Sequence, residues 1–290
     1  MPSPRLIAGL DPAKVSALAG REARRFTLTR PKSARAMAKA DQVYLDGVPL
    51  HWMKDWPMPH LPLVADAKGA LITDIDGYQI NDFCLGDTGS MFGHSPKPVA
   101  KALRAQARKG LTYMLPTEAA LEAGQLLSDV FGPYRWQIAT TATDANRFAL
   151  RVARAVTGRP KVLVFNGCYH GTVDDIFVTL KDGKTVNRAG LLGQVTDLST
   201  LAVCCEFNDL ASVEAALAQG DVAAILTEPV MTNCCMVLPE AGFLEGLRRL
   251  ASQYGSLLIL DETHTLSTGY GGYCRVHGLQ PDIFVVGKCV

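Results

Sequence analysis

From about residue 137 onward the apolar positions fall into two alternating patterns. Lys161 to Phe165, Leu201 to Phe207, Val222 to Leu226, Leu257 to Leu260 and Ile283 to Val286 are apolar runs of strand length, several of them rich in β-branched residues. Gln137 to Thr140 reads as a further short strand. Between these runs, Thr143 to Val156, Asp209 to Ala218 and Ala241 to Tyr254 read as helices. Strand and helix in alternation predict an α/β fold with a mostly parallel sheet. Lys181 to Ser199 shows no clear period and is expected to be a long excursion.

The first part of the chain is patterned differently. Asp11-Pro12 pairs a capping residue with a first-turn proline and predicts a helix to about Phe26; Pro31 to Ala40 predicts a second. Both are surface segments or arms lying on a partner subunit. Asp46-Gly47 marks a turn. Pro49 to Pro59, with Trp52, Met53 and Trp56, is an ordered loop that either lines a pocket or packs on the surface. Ala70 to Phe83 predicts two strands around the hairpin signal Asp76-Gly77. Gly86 to His94 suits a loop where backbone approaches a ligand closely, and Pro96 to Lys109 an amphipathic helix. The expected organisation is an N-terminal arm and small-domain segment over residues 1–95, followed by a large domain over 96–290.

Composition narrows the classes. The 290 residues are 48% hydrophobic with a net charge of +1, so no global field calls for nucleic acid or an anionic membrane. No apolar run reaches the roughly 18 residues of a membrane span, and the start, Met1 to Asp11, is too poor in apolar residues for a secretory signal. The eight cysteines include the adjacent pairs Cys204-Cys205 and Cys234-Cys235 but no C-x-x-C, which signals neither a disulfide framework nor a metal site. Buried free thiols in a reducing cytoplasm are the expectation.

The candidate chemistry lies where strands end. Lys288 follows the run Ile283 to Val286, and Asp261 closes the run Leu257 to Leu260. Carboxyl ends of parallel strands open on one crevice, so an amine and a carboxylate face the same space. Pyridoxal phosphate needs that pair: a Schiff-base lysine and an anion opposite its ring nitrogen. The alternative is two sheet-end charges in solvent. Thr141, Ala142 and Thr143, at a helix start, either cradle a phosphate or simply cap the helix. Phe165 to Gly171 offers Tyr169, an aromatic able to stack on a planar cofactor, and His170, read either as an acid–base group or as structural. Thr227 to Asn233 brings Glu228 and Asn233 to the crevice, with structural hydrogen bonding as the other reading.

Taken together, Phe92-Gly93-His94-Ser95-Pro96, Pro116-Thr117-Glu118, Thr143-Asp144-Ala145-Asn146, Gly167-Cys168-Tyr169-His170-Gly171, Glu228-Pro229-Val230, Asp261-Glu262-Thr263-His264-Thr265 and Gly287-Lys288 resemble the class III aminotransferases, pyridoxal-phosphate enzymes of fold type I. The resemblance covers roughly Asp46 to the end and is closest to the glutamate-1-semialdehyde 2,1-aminomutase branch. It implies a homodimer with its active site at the subunit interface. Lys288 would form the Schiff base and shuttle the proton, and Asp261 would pair with the pyridine nitrogen. Thr141, Ala142 and Thr143 stand where the family has Ser-Gly-Thr and would hold the phosphate. Tyr169 would lie against the ring, and Asn233 and His264 near its hydroxyl side.

Two departures qualify what the resemblance implies. The family chain continues well beyond the lysine, so a fragment or a truncated protein with uncovered apolar faces is expected, its C-terminal part missing. Asp87 stands where the aminomutase has a pocket tryptophan, and Met53 where it has a carboxylate-reading arginine, with Lys54 adjacent. With Trp52 these are the candidate substrate-pocket residues. The leading function is amino transfer from an amine donor to a keto acceptor. The alternatives are intramolecular amino transfer by an aminomutase and a non-catalytic truncated homologue.

Overall fold

The structure, a computed structural model, describes residues 9–289. Residues 1–8, which fall in the stretch read above for a secretory signal, and Val290 lie outside them. The chain divides into two compact units that meet between Leu111 and Thr112. That division lies beyond residue 95 and groups the helix after Pro96 with the first unit.

In the first unit, α1 (Pro12–Thr29) and α2 (Pro31–Ala40) begin where the sequence signals them. Asp11 caps α1, its Oδ1 accepting from the amide of Ala13 at 2.9 Å. A three-stranded antiparallel sheet follows: β1 (Val64–Lys68), β2 (Leu71–Asp74) and β3 (Gln79–Asn81). α3 (Lys97–Ala107) closes the unit. Two carboxylates join helices to sheet. Asp76 accepts from the amides of Lys32 and Ser33 at 2.8 and 2.9 Å, satisfying orphan donors at the start of α2. Asp74, 1% exposed, pairs with Arg30 at 2.9 Å, and the guanidinium lies 4.5 Å from the ring centroid of Phe26 and 4.7 Å from that of Tyr78.

The second unit holds α4 (Glu118–Phe131), α5 (Ala142–Thr157), β4 (Lys161–Phe165), β5 (Val178–Lys181), β6 (Lys184–Asn187), β7 (Ala202–Cys205), α6 (Leu210–Leu217), β8 (Val222–Thr227), α7 (Phe243–Tyr254), β9 (Leu257–Asp261), α8 (Gly272–His277) and β10 (Ile283–Val285). Five strands form one parallel sheet in the order β10-β9-β8-β4-β7. β8 is buried along its whole length, as expected of a parallel strand covered on both faces. α7 turns Phe243, Leu244, Leu247, Leu250 and Ala251 inward, a helical spacing, and ends on left-handed Gly255. Leu150, Phe165, Ile225, Leu226, Leu247 and Ile259 are sealed in the core. Burying each such side chain is worth about 1.5–3 kcal/mol.

Two expectations change. Gln137 to Thr140 forms no strand; it joins no ladder, and Ile138 is 67% exposed. The stretch from Lys181 is partly ordered as the β5–β6 hairpin, turning at Asp182-Gly183, both with positive φ. All eight cysteines are free, and among the described residues no helix is long and apolar enough to cross a membrane.

Candidate active site

Because the five strands run parallel, their carboxyl ends share one edge, and the register sets Val285 beside Asp261 and Leu260 beside Thr227. The loops leaving that edge carry most of the residues read from the sequence.

Asp261 is the best-defined member. It is 3% exposed, and its carboxylate accepts from four donors. Oδ2 takes the Asn146 amide at 2.8 Å and His170 Nδ1 at 2.9 Å. Oδ1 takes the Thr263 amide at 3.0 Å and the Thr263 hydroxyl at 2.6 Å. Burial alone would raise its pKa, but the bonds from His170, Thr263 and Asn146 outweigh it and hold the group below the usual carboxylate range. Burial likewise pushes His170 down, while Asp261 and Cys168 pull it up, to about 10. The carboxyl edge of the sheet therefore holds a buried carboxylate kept anionic and fixed in place.

The neighbouring carboxylates are turned away. Glu262, fully buried, accepts from the amides of Tyr273 and Cys274 at 2.6 and 2.7 Å and so anchors the start of α8. Glu228, 4% exposed, binds the amide of Thr232 at 3.3 Å and its hydroxyl, and burial raises its pKa. The structural reading of Glu228 is the observed one.

Thr141 is the N-cap of α5, its hydroxyl accepting from the amide of Asp144 at 3.1 Å. Capping leaves the first amides, those of Ala142 and Thr143, outside the helix ladder at the positive end of the dipole. Two glycines bring other loops against this helix start. A Cβ on Gly287 would meet Ala142 and Thr263, and a Cβ on left-handed Gly171 would overlap Thr143. The amide of Thr172 donates to Thr143 Oγ1 at 3.1 Å. Gly167 lies against Cys234, so the turn bearing Tyr169 runs beside the turn bearing Asn233.

Tyr169 is 45% exposed and available to a ring; Asn233 is exposed and His264 half-buried, on the loops after β8 and β9. Lys288 is exposed, three residues beyond Val285, with a φ of 63°. Among the described residues no group of three or more His, Cys, Asp or Glu could hold a metal ion.

Trp52, Met53 and Asp87 belong to the first unit. The rings of Trp52 and Trp56 lie 5.4 Å apart. Met53 and Lys54 line a cavity of about 420 Å³ with Asp41, Asp46 and Trp56. Lys54 pairs with Asp46 at 3.1 Å. Asp87 is exposed on a turn where Leu85, Gly86, Asp87 and Thr88 all have positive φ.

In the sequence Asn146 and Thr263 stand only as parts of longer motifs, yet both grip Asp261. A signal for Asn146 was present. It shares the spacing of Ala149, Leu150 and Ala153 on the buried face of α5, where an amide needs a partner.

Residues 53–290 match the model of the family described as aminotransferase class-III. A glutamate-1-semialdehyde 2,1-aminomutase of Roseiflexus castenholzii is 38% identical over 232 residues, 78% of this chain and 54% of that protein. A solved structure of a glutamate-1-semialdehyde-aminomutase from Pseudomonas aeruginosa PAO1 is 52% identical with a TM-score of 0.94, covering 97% of this chain and 62% of that one. A lysine-to-alanine variant of it is solved in complex with PMP. An omega-transaminase from Sphaerobacter thermophilus superposes with a TM-score of 0.81 at 30% identity, covering 88% of this chain and 60% of that one. The chain thus spans less than two thirds of the length of each of these relatives.

Proposed function

The chain belongs to the class III aminotransferase family, and we propose that it transfers an amino group from an amine or amino acid to a keto or aldehyde acceptor, with pyridoxal 5'-phosphate as cofactor. One observation carries this reading. A buried carboxylate held anionic by four donors, Asp261, closes β9, while the adjacent strand leads to Lys288. The residues fit the cofactor: a fixed anion for a pyridinium, unladdered amides at a helix start for a phosphate, an exposed tyrosine for a ring face, and an exposed amine.

When bound, the cofactor supplies an electron sink for the carbanion formed beside the transferred amino group. The residues divide the remaining work. The amides of Ala142 and Thr143, with the dipole of α5 behind them, would hold the phosphate, flanked by the Thr141 and Thr143 hydroxyls. Asp261, held anionic, would be the partner of a protonated ring nitrogen and would favour that protonation state. Tyr169 would cover one ring face and exclude water, and Asn233 and His264 would bound the hydroxyl side. Lys288 would anchor the cofactor through its amine and would serve as the group that accepts and returns the substrate's proton.

The protein is read as a cytoplasmic homodimer. Phe148, Val152 and Val156, exposed at helical spacing on α5, supply apolar surface for a partner, and the free thiols suit a reducing compartment. Met53 is uncharged and Lys54 is engaged with Asp46, which favours a donor without a closely held α-carboxylate. The second reading, an aminomutase, is supported by the names of the relatives. A labelled-nitrogen experiment on the full-length protein separates the two. Label appearing in a chemically distinct keto acceptor is the outcome expected here; label found only in an isomer of the donor, with no separate acceptor aminated, supports the aminomutase. Cofactor binding without turnover of any amine in a broad panel would contradict both.

A further inference from the structure

We propose that Asn146 is the positioning residue that fixes three walls of the cofactor pocket relative to one another: phosphate side, ring face and ring nitrogen. Its side chain is fully buried, and both hydrogens of Nδ2 are used. One goes to Asp261 Oδ2 at 2.8 Å, at the end of β9; the other goes to the carbonyl of His170 at 3.2 Å, in the turn that carries Tyr169. The residue itself sits in α5, one helical turn beyond Thr143. One amide thus ties the helix start to both the ring-facing turn and the carboxylate. Its orientation is dictated by chemistry, because Asp261 Oδ2 and the His170 carbonyl are both acceptors and only the amide nitrogen can face them.

The remaining atom argues against a purely structural role. Asn146 Oδ1 is buried without a hydrogen-bond partner, on a helix face otherwise made of Ala149, Leu150 and Ala153. An apolar side chain would spare the cost of that unpartnered acceptor but would strand Asp261 Oδ2 and the His170 carbonyl, so the position is held for its two donors. A rule broken locally inside a well-formed core points to function. Its consequence is mechanical. Removing the amide frees one oxygen of Asp261 and unties the Tyr169 turn, so the carboxylate no longer meets the ring nitrogen in a fixed geometry.

The inference rests on the cofactor reading above, and the test separates the two. Asn146→Leu keeps the size and removes both donors; Asn146→Ser is the smaller companion should the leucine variant fold poorly. Each is loaded with pyridoxal phosphate in the full-length protein. Thermal melting, cofactor affinity and the pH titration of the visible cofactor band are then measured. The expected result is a lowered melting temperature, because two buried acceptors lose their donor, with cofactor binding about tenfold weaker and donor kcat reduced about 10- to 100-fold with little change in KM. The band's titration midpoint should rise by about one pH unit, because a ring nitrogen that loses its proton makes the cofactor's imine nitrogen more basic. A core-filling role would not move that midpoint. Variants that bind and titrate as wild type overturn the proposal while leaving the cofactor reading intact. A wild-type protein with no such band removes both.

Discussion

His170 Nδ1 lies 2.9 Å from Asp261 Oδ2, with the two side chains 0% and 4% exposed. The pair couples the folding equilibrium to pH in a defined direction. His170 is raised to about 10, so its contribution is complete below the ordinary histidine range, near 6.5, and is lost as pH climbs toward 10. Asp261 is lowered, so its contribution is complete above the ordinary carboxylate range and is lost only as pH falls through its depressed value. Urea unfolding of the cofactor-free protein should therefore show stability falling from about pH 6.5 toward 10, with a slope approaching about 1.4 kcal/mol per pH unit. His170→Asn should flatten that slope. A flat wild-type profile across the window would mean that the histidine is neutral in the folded protein.

Gly171 and Gly183 both have positive φ, 78° and 73°, but differ in what surrounds them. A Cβ at Gly171 would overlap Thr143, including its backbone, whereas a Cβ at Gly183 meets nothing within 4 Å. Gly183→Ala is expected to cost about 1 kcal/mol from the dihedral alone. Gly171→Ala should cost about 2 kcal/mol or more and weaken cofactor binding by displacing Thr143. Equal losses in chemical denaturation, with unchanged cofactor affinity, would show that Thr143 does not depend on this close approach.

Arg30 is held by buried Asp74 and by the faces of Phe26 and Tyr78. Arg30→Ala strands the carboxylate and should destabilise the first unit by about 3 kcal/mol. Arg30→Lys should recover little of this, because an ammonium lacks the planar stacking surface and the fork of donors. Full recovery by lysine in a thermal melt would reduce the contact to simple charge pairing.

Much of this arrangement is legible in the sequence. β4 matches its apolar run end to end, and the prolines at 12 and 31 mark where α1 and α2 begin. Asp261 and Lys288 stand out because each follows an apolar run of strand length. What escapes is whatever depends on distant partners. Gln137 to Thr140 has strand composition, yet no neighbouring backbone bonds to it. The β5–β6 turn is signalled by Asp182-Gly183, but its flanks, Val178 to Lys181 and Lys184 to Asn187, lack a strict alternation. α4 carries its cap, Thr117, in a motif that reads first as a family marker. Asn146 stands 115 residues from Asp261, and only folding reveals that it joins nearby Thr263 in holding the carboxylate.

Lys288 is proposed as the cofactor's point of attachment. The direct measurement is to load the full-length protein with pyridoxal phosphate, reduce it with borohydride, digest it and locate the pyridoxyl group by mass spectrometry. The expected result is one adduct, on Lys288, absent from Lys288→Ala even though that variant still binds the cofactor weakly through the helix start at Thr141 to Thr143. An adduct on a different lysine, or a wild-type protein that yields none, would contradict the account.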